Sequence, residues 1–574
     1  MLTEPAFGIG VNSSRFKIYQ GAHDCSDGAL SHSEKIMETV TRPHLQDLLF
    51  KGFIEGACIL EKSSGKKLCY YYGGLPFALP PIGPFRWQRP RPLPSCYRYG
   101  TRANPGRHTG QAGLCPQIGK RHPSSLFDED CLQLNIWVPT GEAPKKGWPV
   151  YFYIHGGFLQ FGSPNLGNPV AFISQSDCQC IVVKPAYRLG IFGFLASEEL
   201  LSDPSNKDKT VGNLGFWDLR LALEWTHENV SYFGGNASNI TVGGYSAGSH
   251  CTFYQLQHDL EQPLSKRIIK RVVMHSNGIG VQPKRLAEAQ FQFNELLHQL
   301  DISLNLPSED KLSQLRKASV DDLLRAAANM RLHQFRAVLD GVFIKSNLFV
   351  SIEDGTFARK LRDANVQILM GECNQEHWVY GTWRTPTPGL NNLFERLQAD
   401  YPRKTCEVLV QEYFPGGGLP VQWKSWKEAF GHIYADVQIH VTQRGLVDAM
   451  IRGGAGHLVK RYRIEWRVKC ADSAAPREWG ATHASDMFIW WIGDGFVLER
   501  SEQEIVRKAL LDDFAKFLKG ENFCLGTRSA LEARRLKADG SVDIWRDDWW
   551  EGRLKIWKAL QMEILKEVTA KPRL

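Results

Sequence analysis

Along this chain the apolar residues fall first into short runs and later into helical spacing. Leu132–Val138 (LQLNIWV), Pro149–Ile154 (PVYFYI) and Cys180–Pro185 (CIVVKP) are compact apolar segments rich in β-branched and aromatic side chains. That pattern predicts buried strands. Ile240–Gly244 (ITVGG), Ile268–His275 (IIKRVVMH) and Val366–Gly371 (VQILMG) read the same way. Gly215–Asn229 (GFWDLRLALEWTHEN) repeats its apolar positions at helical spacing. Short buried strands alternating with helices predict an α/β fold: a large, mostly parallel central sheet with helices on both faces.

Residues 285–362 differ. RLAEAQFQFNELLHQL and SVDDLLRAAANM are amphipathic helices, which predicts a cap-like helical insertion. From Ser501, SEQEIVRKALLDDFAKFLKG predicts a helix with Ser501 as N-cap and Glu504 at capping-box spacing. Residues 1–47 carry little periodicity and are expected to form a partly ordered N-terminal extension. Leu68–Leu93 is dense in Pro, Gly and aromatics and is expected to be extended and irregular, because Pro fixes φ and removes a donor. The expected organisation is this extension followed by one α/β domain over 48–574, with its insertion at about 285–362. Length alone would suggest roughly three or four domains, but a large α/β sheet can hold several hundred residues together.

Composition changes this picture little. Of 574 residues, 43% are hydrophobic and 23% charged, ordinary globular usage. The net charge of +8 is mild for this length, and the basic residues form no long runs. With no zinc-finger spacing and no RNP-like strand, nucleic acid is not an expected partner. No apolar stretch reaches the roughly 18–20 residues of a membrane span. MLTEPAFGIGVNSSRF has neither the basic nor the apolar region of a secretory signal, so a cytoplasmic protein is expected. The terminal Lys571-Pro572-Arg573-Leu574 is only a weak peroxisomal pattern. Most of the 13 cysteines are then expected as thiols, Cys178 and Cys180 as core thiols rather than metal ligands.

Gly244-Tyr245-Ser246-Ala247-Gly248 is a G-x-S-x-G pentapeptide between a predicted strand and a helix-compatible run. In that context Ser246 sits on a strained bend with its hydroxyl exposed above the sheet, placed to act as a nucleophile. With 52 glycines in the chain the pattern alone could be a plain turn. His155-Gly156-Gly157-Phe158 follows another predicted strand. Its backbone N–H groups, with that of Ala247, could form an oxyanion hole, or the loop could simply be a tight turn. Such folds order nucleophile, acid, then histidine. Glu372 and Glu376, in the loop after VQILMG, both suit the acid.

The chain resembles the type-B carboxylesterase/lipase family, which includes the cholinesterases. The resemblance runs from about Phe53 to Trp557. It is carried, in order, by GGLPFALPPIGPFRWQRPRPL, EDCLQLNIWVP, YIHGGFLQFGS, KPAYRLGIFGFL, GNLGFWDLRLALEWTHENVSYFGGN, ITVGGYSAGS and WGATHASDMFIWWIG. It implies an α/β-hydrolase fold and a triad of Ser246, Glu376 and His483, the acid aligned through Gly371 and the base through the late His loop. Spacing alone could not choose His483 among 17 histidines. It implies oxyanion donors at Gly156, Gly157, Phe158 and Ala247, although the family's third loop glycine is Phe158 here and its glycine after the base is Ala484. Asp486 is expected to brace the His loop, and Asp340 matches a family Asp-Gly near the substrate pocket. Cys115 and Cys131 match a pair that is disulfide-bonded in secreted members.

Among the aromatics Phe158, Trp217, Trp378, Trp383, Trp490 and Trp491, most are expected in the core. Phe158, Trp217 and Tyr245 are the candidates for a substrate pocket. The expected activity is hydrolysis of apolar, small-molecule carboxylic esters through an acyl-enzyme, with no metal and no cofactor. Acyl transfer, or lactone closure and opening, would use the same intermediate. A non-catalytic binding protein is a third reading, which the filled triad positions disfavour.

Overall fold

The computed structural model describes residues 35–118 and 124–569. The N-terminal MLTEPAFGIGVNSSRF and the terminal Lys571-Pro572-Arg573-Leu574 lie outside them.

Four strands, β1 (Thr39–Asp47), β2 (Phe53–Glu61), β3 (Lys67–Pro76) and β4 (Gln133–Pro139), pair antiparallel in chain order. The next two, β5 (Trp148–Ile154) and β6 (Ile181–Pro185), exchange places, so that β4 lies beside β6 and β6 beside β5. After β5 come β7 (Gly235–Tyr245), β8 (Ile269–His275), β9 (Gln367–Cys373), β10 (Val459–Ile464), β11 (Glu532–Leu536) and β12 (Val542–Arg546). A short strand, Gly106–Arg107, pairs with β2 and completes a thirteen-stranded sheet. Every pairing from β6 through β11 is parallel; β4–β6 and β11–β12 are antiparallel.

Alternate residues of the central strands enter two cores. Val150, Phe152, Ile154, Val242, Met274 and Met370 pack on one face, and Tyr151, Tyr153, Tyr245, Val273 and Leu369 on the other. This two-sided burial is why these strands read as unbroken apolar runs. All six predicted strands and the predicted helix, observed as Leu214–Asn229, are present.

Two expectations are corrected. Leu68–Leu93 is not irregular throughout, because its first part is strand β3, whose ladder partners on β2 and β4 outweigh the local Gly content. The helix near Ser501 is Arg500–Val506, capped two residues earlier by Glu499, with Glu502 closing the box. Lys469 draws the cap to that position: its ammonium pairs with Glu499 at 2.6 Å and its backbone N–H donates to Glu502 at 2.8 Å.

Between β8 and β9 lie helices Leu286–Gln299, Ser308–Lys317, Val320–Asn329, Leu348–Glu353 and Thr356–Ala364. A second helical block, not anticipated from the sequence, separates β9 from β10 and includes Leu390–Asp400, Arg403–Tyr413, Trp426–Ala435 and Val441–Arg452. Cys115 and Cys131 form a disulfide, and Cys178 and Cys180 are buried thiols. Among the described residues no helix is long and apolar enough to cross a membrane.

Candidate active site

Strand β7 ends at Tyr245, and helix Ala247–Leu260 starts two residues later. Ser246 lies between them at φ 56°, ψ −123°, a conformation L-residues rarely adopt and that costs about 1–3 kcal/mol. The flanking glycines make the bend possible. A Cβ on Gly248 would lie 2.0 Å from the Ile154 carbonyl oxygen, and one on Gly244 would lie 2.3 Å from the carbonyl carbon of Gly248. The Ser246 N–H donates to the His275 carbonyl at 2.9 Å, which fixes the backbone. Although Ser246 is the helix N-cap, its hydroxyl makes no capping bond. The first N–H groups of the helix have no intrahelical acceptor and favour negative charge beside this hydroxyl.

The loop after β5 lies directly against Ser246. A Cβ on Gly156 would be 2.7 Å from the Tyr245 carbonyl oxygen and 3.1 Å from the Ser246 Cβ. Phe158 and Leu159 adopt positive φ values of 57° and 64°. Phe158 therefore occupies a glycine-type conformation, as the family's loop would have it, while carrying a large side chain. Partly buried partners hold it there. Its carbonyl accepts from Arg336 at 2.6 Å, and its ring stacks on Trp383 with centroids 4.7 Å apart and planes 10° apart.

His483 and Glu376 are buried together, with His483 Nδ1 2.6 Å from Glu376 Oε2. Glu376 Oε1 accepts the Cys373 N–H at 2.8 Å. The carboxylate thus calls for a proton on Nδ1 and leaves Nε2 as the basic nitrogen. The two loops are stitched by Thr482 Oγ1 to the Gln375 carbonyl (2.8 Å) and Gln375 N–H to the Ala481 carbonyl (3.1 Å). Tyr245 joins this loop to strand β7: its hydroxyl donates to Asp486 at 2.6 Å and accepts the Ala484 N–H at 2.7 Å, and its ring lies 5.1 Å from that of His483. Burial, and after it the charge of Glu376, pushes the Asp486 carboxyl up to about 6. Ala484 has φ 69°, a left-handed conformation that favours glycine.

Other predicted residues lie elsewhere. Glu372 is committed to an interior ion cluster, at 2.7 Å from His440 Nδ1, 2.9 Å from Arg444 and 3.2 Å from Arg463. Burial opposes its charge, but Arg444 and His440 outweigh it and hold the carboxyl well below the usual range. Asp340 accepts the N–H groups of Phe343 and Ile344 and closes its own turn. Trp217 packs against Arg89, Phe343 and His258. Of the three pocket candidates, Phe158 lies at the site, Tyr245 braces the His loop from behind, and Trp217 belongs to this separate cluster.

Sequence reasoning missed Tyr380, Tyr434 and Arg336. The Tyr380 ring lies 4.7 Å from His483 and 5.8 Å from Phe158, and its hydroxyl faces Ser246. Tyr434 stacks on Phe158. Arg336 bridges Phe158 to Asp400 (2.6 Å) and Tyr434 (2.8 Å). Arg336 comes from the first helical block and the two tyrosines from the second. A helical pattern marks such blocks but not which of their side chains turn toward a distant loop.

The carboxylesterase family profile matches residues 47–525. A carboxylic ester hydrolase of Gibberella moniliformis is 44% identical over 516 residues, covering 88% of this chain and 94% of that protein. An uncharacterised esterase/lipase of Schizosaccharomyces pombe is 38% identical over 522 residues, with the same coverage. Among solved structures, Aspergillus niger EstA superposes with a TM-score of 0.69 at 19% identity, covering 91% of this chain and 99% of that one. A PNB esterase gives 0.67 at 23%, covering 89% and 99%. These structures share the α/β-hydrolase fold described above. With its family profile spanning most of its length and close relatives along nearly all of theirs, the chain belongs to the carboxylesterase family.

Proposed function

We propose that the protein hydrolyses small carboxylic esters through an acyl-enzyme on Ser246, with His483 as base and Glu376 as its supporting acid. The observation that carries this reading is the 2.6 Å contact of Glu376 with His483, in a loop hydrogen-bonded to the residue preceding Ser246.

Ser246 Oγ attacks the ester carbonyl carbon while its proton passes to His483 Nε2. The N–H groups of Gly157, Phe158 and Ala247 receive the developing oxyanion, and Gly156 keeps the approach to Ser246 open. The carbonyl re-forms, the bond to the alkoxy oxygen breaks, and His483 returns the proton to the leaving alcohol. Water then attacks the acyl group by the same steps and releases the acid. Glu376 holds the imidazole tautomer and stabilises its charged form. The rings of Phe158, Trp383, Tyr380 and Tyr434 favour an apolar substrate.

The test is labelling with a fluorophosphonate and peptide mapping, alongside Ser246→Ala. The label is expected on Ser246, and the variant is expected to lose a factor on the order of 10⁶ in turnover of p-nitrophenyl butyrate. Undiminished hydrolysis by the variant refutes the reading.

A further inference from the structure

Tyr380 is fully buried, yet among the described residues no group completes a well-formed hydrogen bond to its hydroxyl. The polar side chain it faces is Ser246. Its ring is fixed on three sides, by His483 at 4.7 Å, Tyr434 at 5.3 Å and Phe158 at 5.8 Å. A buried hydroxyl left without a partner is costly in a folded protein, and native structures seldom leave one without a reason. Here the reason follows from geometry. Whatever faces Ser246 Oγ in the free enzyme lies beside the acyl group bonded to Oγ once the acyl-enzyme forms, within reach of the first atoms of its chain. Burial, and after it the charge of Glu376, holds the phenol well above its ordinary pKa, so it stays a protonated donor throughout the working pH range.

We infer that Tyr380 determines acyl specificity. Its hydroxyl donates a hydrogen bond to an oxygen atom of the acyl chain close to the ester carbonyl, so the preferred substrates are esters of oxygenated acids such as alkoxy or keto acids, rather than plain fatty acyl esters. The inference rests on the acyl-enzyme reading above. The aromatic surroundings do not contradict it. They supply affinity for the carbon skeleton, while the one donor rewards an acceptor at a single position. A site built to hydrogen-bond its ligand discriminates strongly against an analogue that lacks the partner atom.

The experiment compares p-nitrophenyl methoxyacetate with p-nitrophenyl butyrate, which differ by an ether oxygen in place of a methylene. Each is assayed with the unaltered protein and with Tyr380→Phe. Taking the variant-to-parent ratio of kcat/KM for each ester cancels the esters' different intrinsic reactivities. Tyr380→Phe is expected to lower kcat/KM for the methoxyacetate by roughly ten- to a hundredfold more than for the butyrate. Its melting temperature is expected to hold or rise, because an unpaired buried hydroxyl has been removed. An equal change on both esters overturns the inference, and so does a fall of several degrees in melting temperature, which would mean the hydroxyl is paired within the core. Fluorophosphonate labelling of both proteins separates the two claims. Ser246 labelled with equal ratios defeats only the role of Tyr380, whereas Ser246 unlabelled in both defeats the acyl-enzyme reading as well.

Discussion

Replacing Arg336 by Met tests whether the helical blocks hold the oxyanion loop in working order. The guanidinium makes three partly buried hydrogen bonds, to the Phe158 carbonyl (2.6 Å), Asp400 (2.6 Å) and Tyr434 (2.8 Å). Removing one member of a buried ion pair typically costs about 3–5 kcal/mol. The lower end applies here, because Asp400 keeps Arg396 at 2.5 Å and the Tyr434 hydroxyl at 3.0 Å. The expected loss is therefore about 3 kcal/mol, read from urea unfolding. The catalytic effect is separate. Without its carbonyl anchor, Phe158 loses what holds it at φ 57° and relaxes toward ordinary backbone. Its N–H then turns from the oxyanion, and losing one such donor lowers kcat by about 10²–10³. KM is expected to change little, because the oxyanion exists only in the transition state. Steady-state kinetics on p-nitrophenyl butyrate, under conditions where the variant remains folded, read both constants. Arg336→Lys is expected to recover part of kcat by donating to the same carbonyl. A destabilised Arg336→Met protein with unchanged kcat refutes the argument and leaves Arg336 as a purely structural tie.

Three further outcomes follow from the same geometry. Glu376→Gln is expected to lower kcat by about 10⁴, whereas Glu372→Gln is expected to cost about 3–5 kcal/mol of stability while the folded enzyme keeps its turnover; the opposite pairing in kinetics and urea titrations would exchange the two roles. Burial holds the Asp486 carboxyl at about 6 in the folded protein, above the ordinary carboxylate range, so its stabilising contribution is present below about pH 4 and is lost as pH rises through 6. Asp486→Asn is therefore expected to gain on the parent by up to about 3 kcal/mol between pH 4 and 7, and parallel stability profiles would contradict that. Gly248→Ala forces a methyl group to 2.0 Å from the Ile154 carbonyl oxygen and is expected to cost about 3 kcal/mol or more, which thermal denaturation measures.

The central strands were legible because both faces of the sheet are buried, which writes the strand as a continuous apolar run. The bend at Ser246 was legible because close packing there excludes every side chain larger than hydrogen on both flanks. Elsewhere local signals gave way to distant partners. β3 was hidden by its glycines and proline, which its neighbours on two sides tolerate. The choice between Glu372 and Glu376 could not be made from spacing, since both follow the predicted strand Val366–Gly371, whereas the observed strand runs on through Glu372 to Cys373. It turns on which carboxylate meets the interior guanidinium groups, and those belong to residues 444 and 463. His483 was chosen by family likeness alone. Tyr380 lies four residues beyond Glu376, so a helical turn places it on the same side as the acid, but nothing local distinguishes that from ordinary packing.

The family profile stops at residue 525, yet the folded unit does not. Asp547 receives Arg444 at 3.0 Å and Arg461 at 2.5 Å, and Arg444 is the same guanidinium that neutralises Glu372. Helix Trp550–Thr569 sets Trp557 where a Cβ on Gly445 would be only 2.1 Å from its ring. A gene cut at the edge of the conserved region would strip two strands from the sheet and strand cations inside the protein. Anyone trimming this enzyme for expression, fusion or display should carry the tail along, since it serves as the keystone of the ionic interior around Glu372.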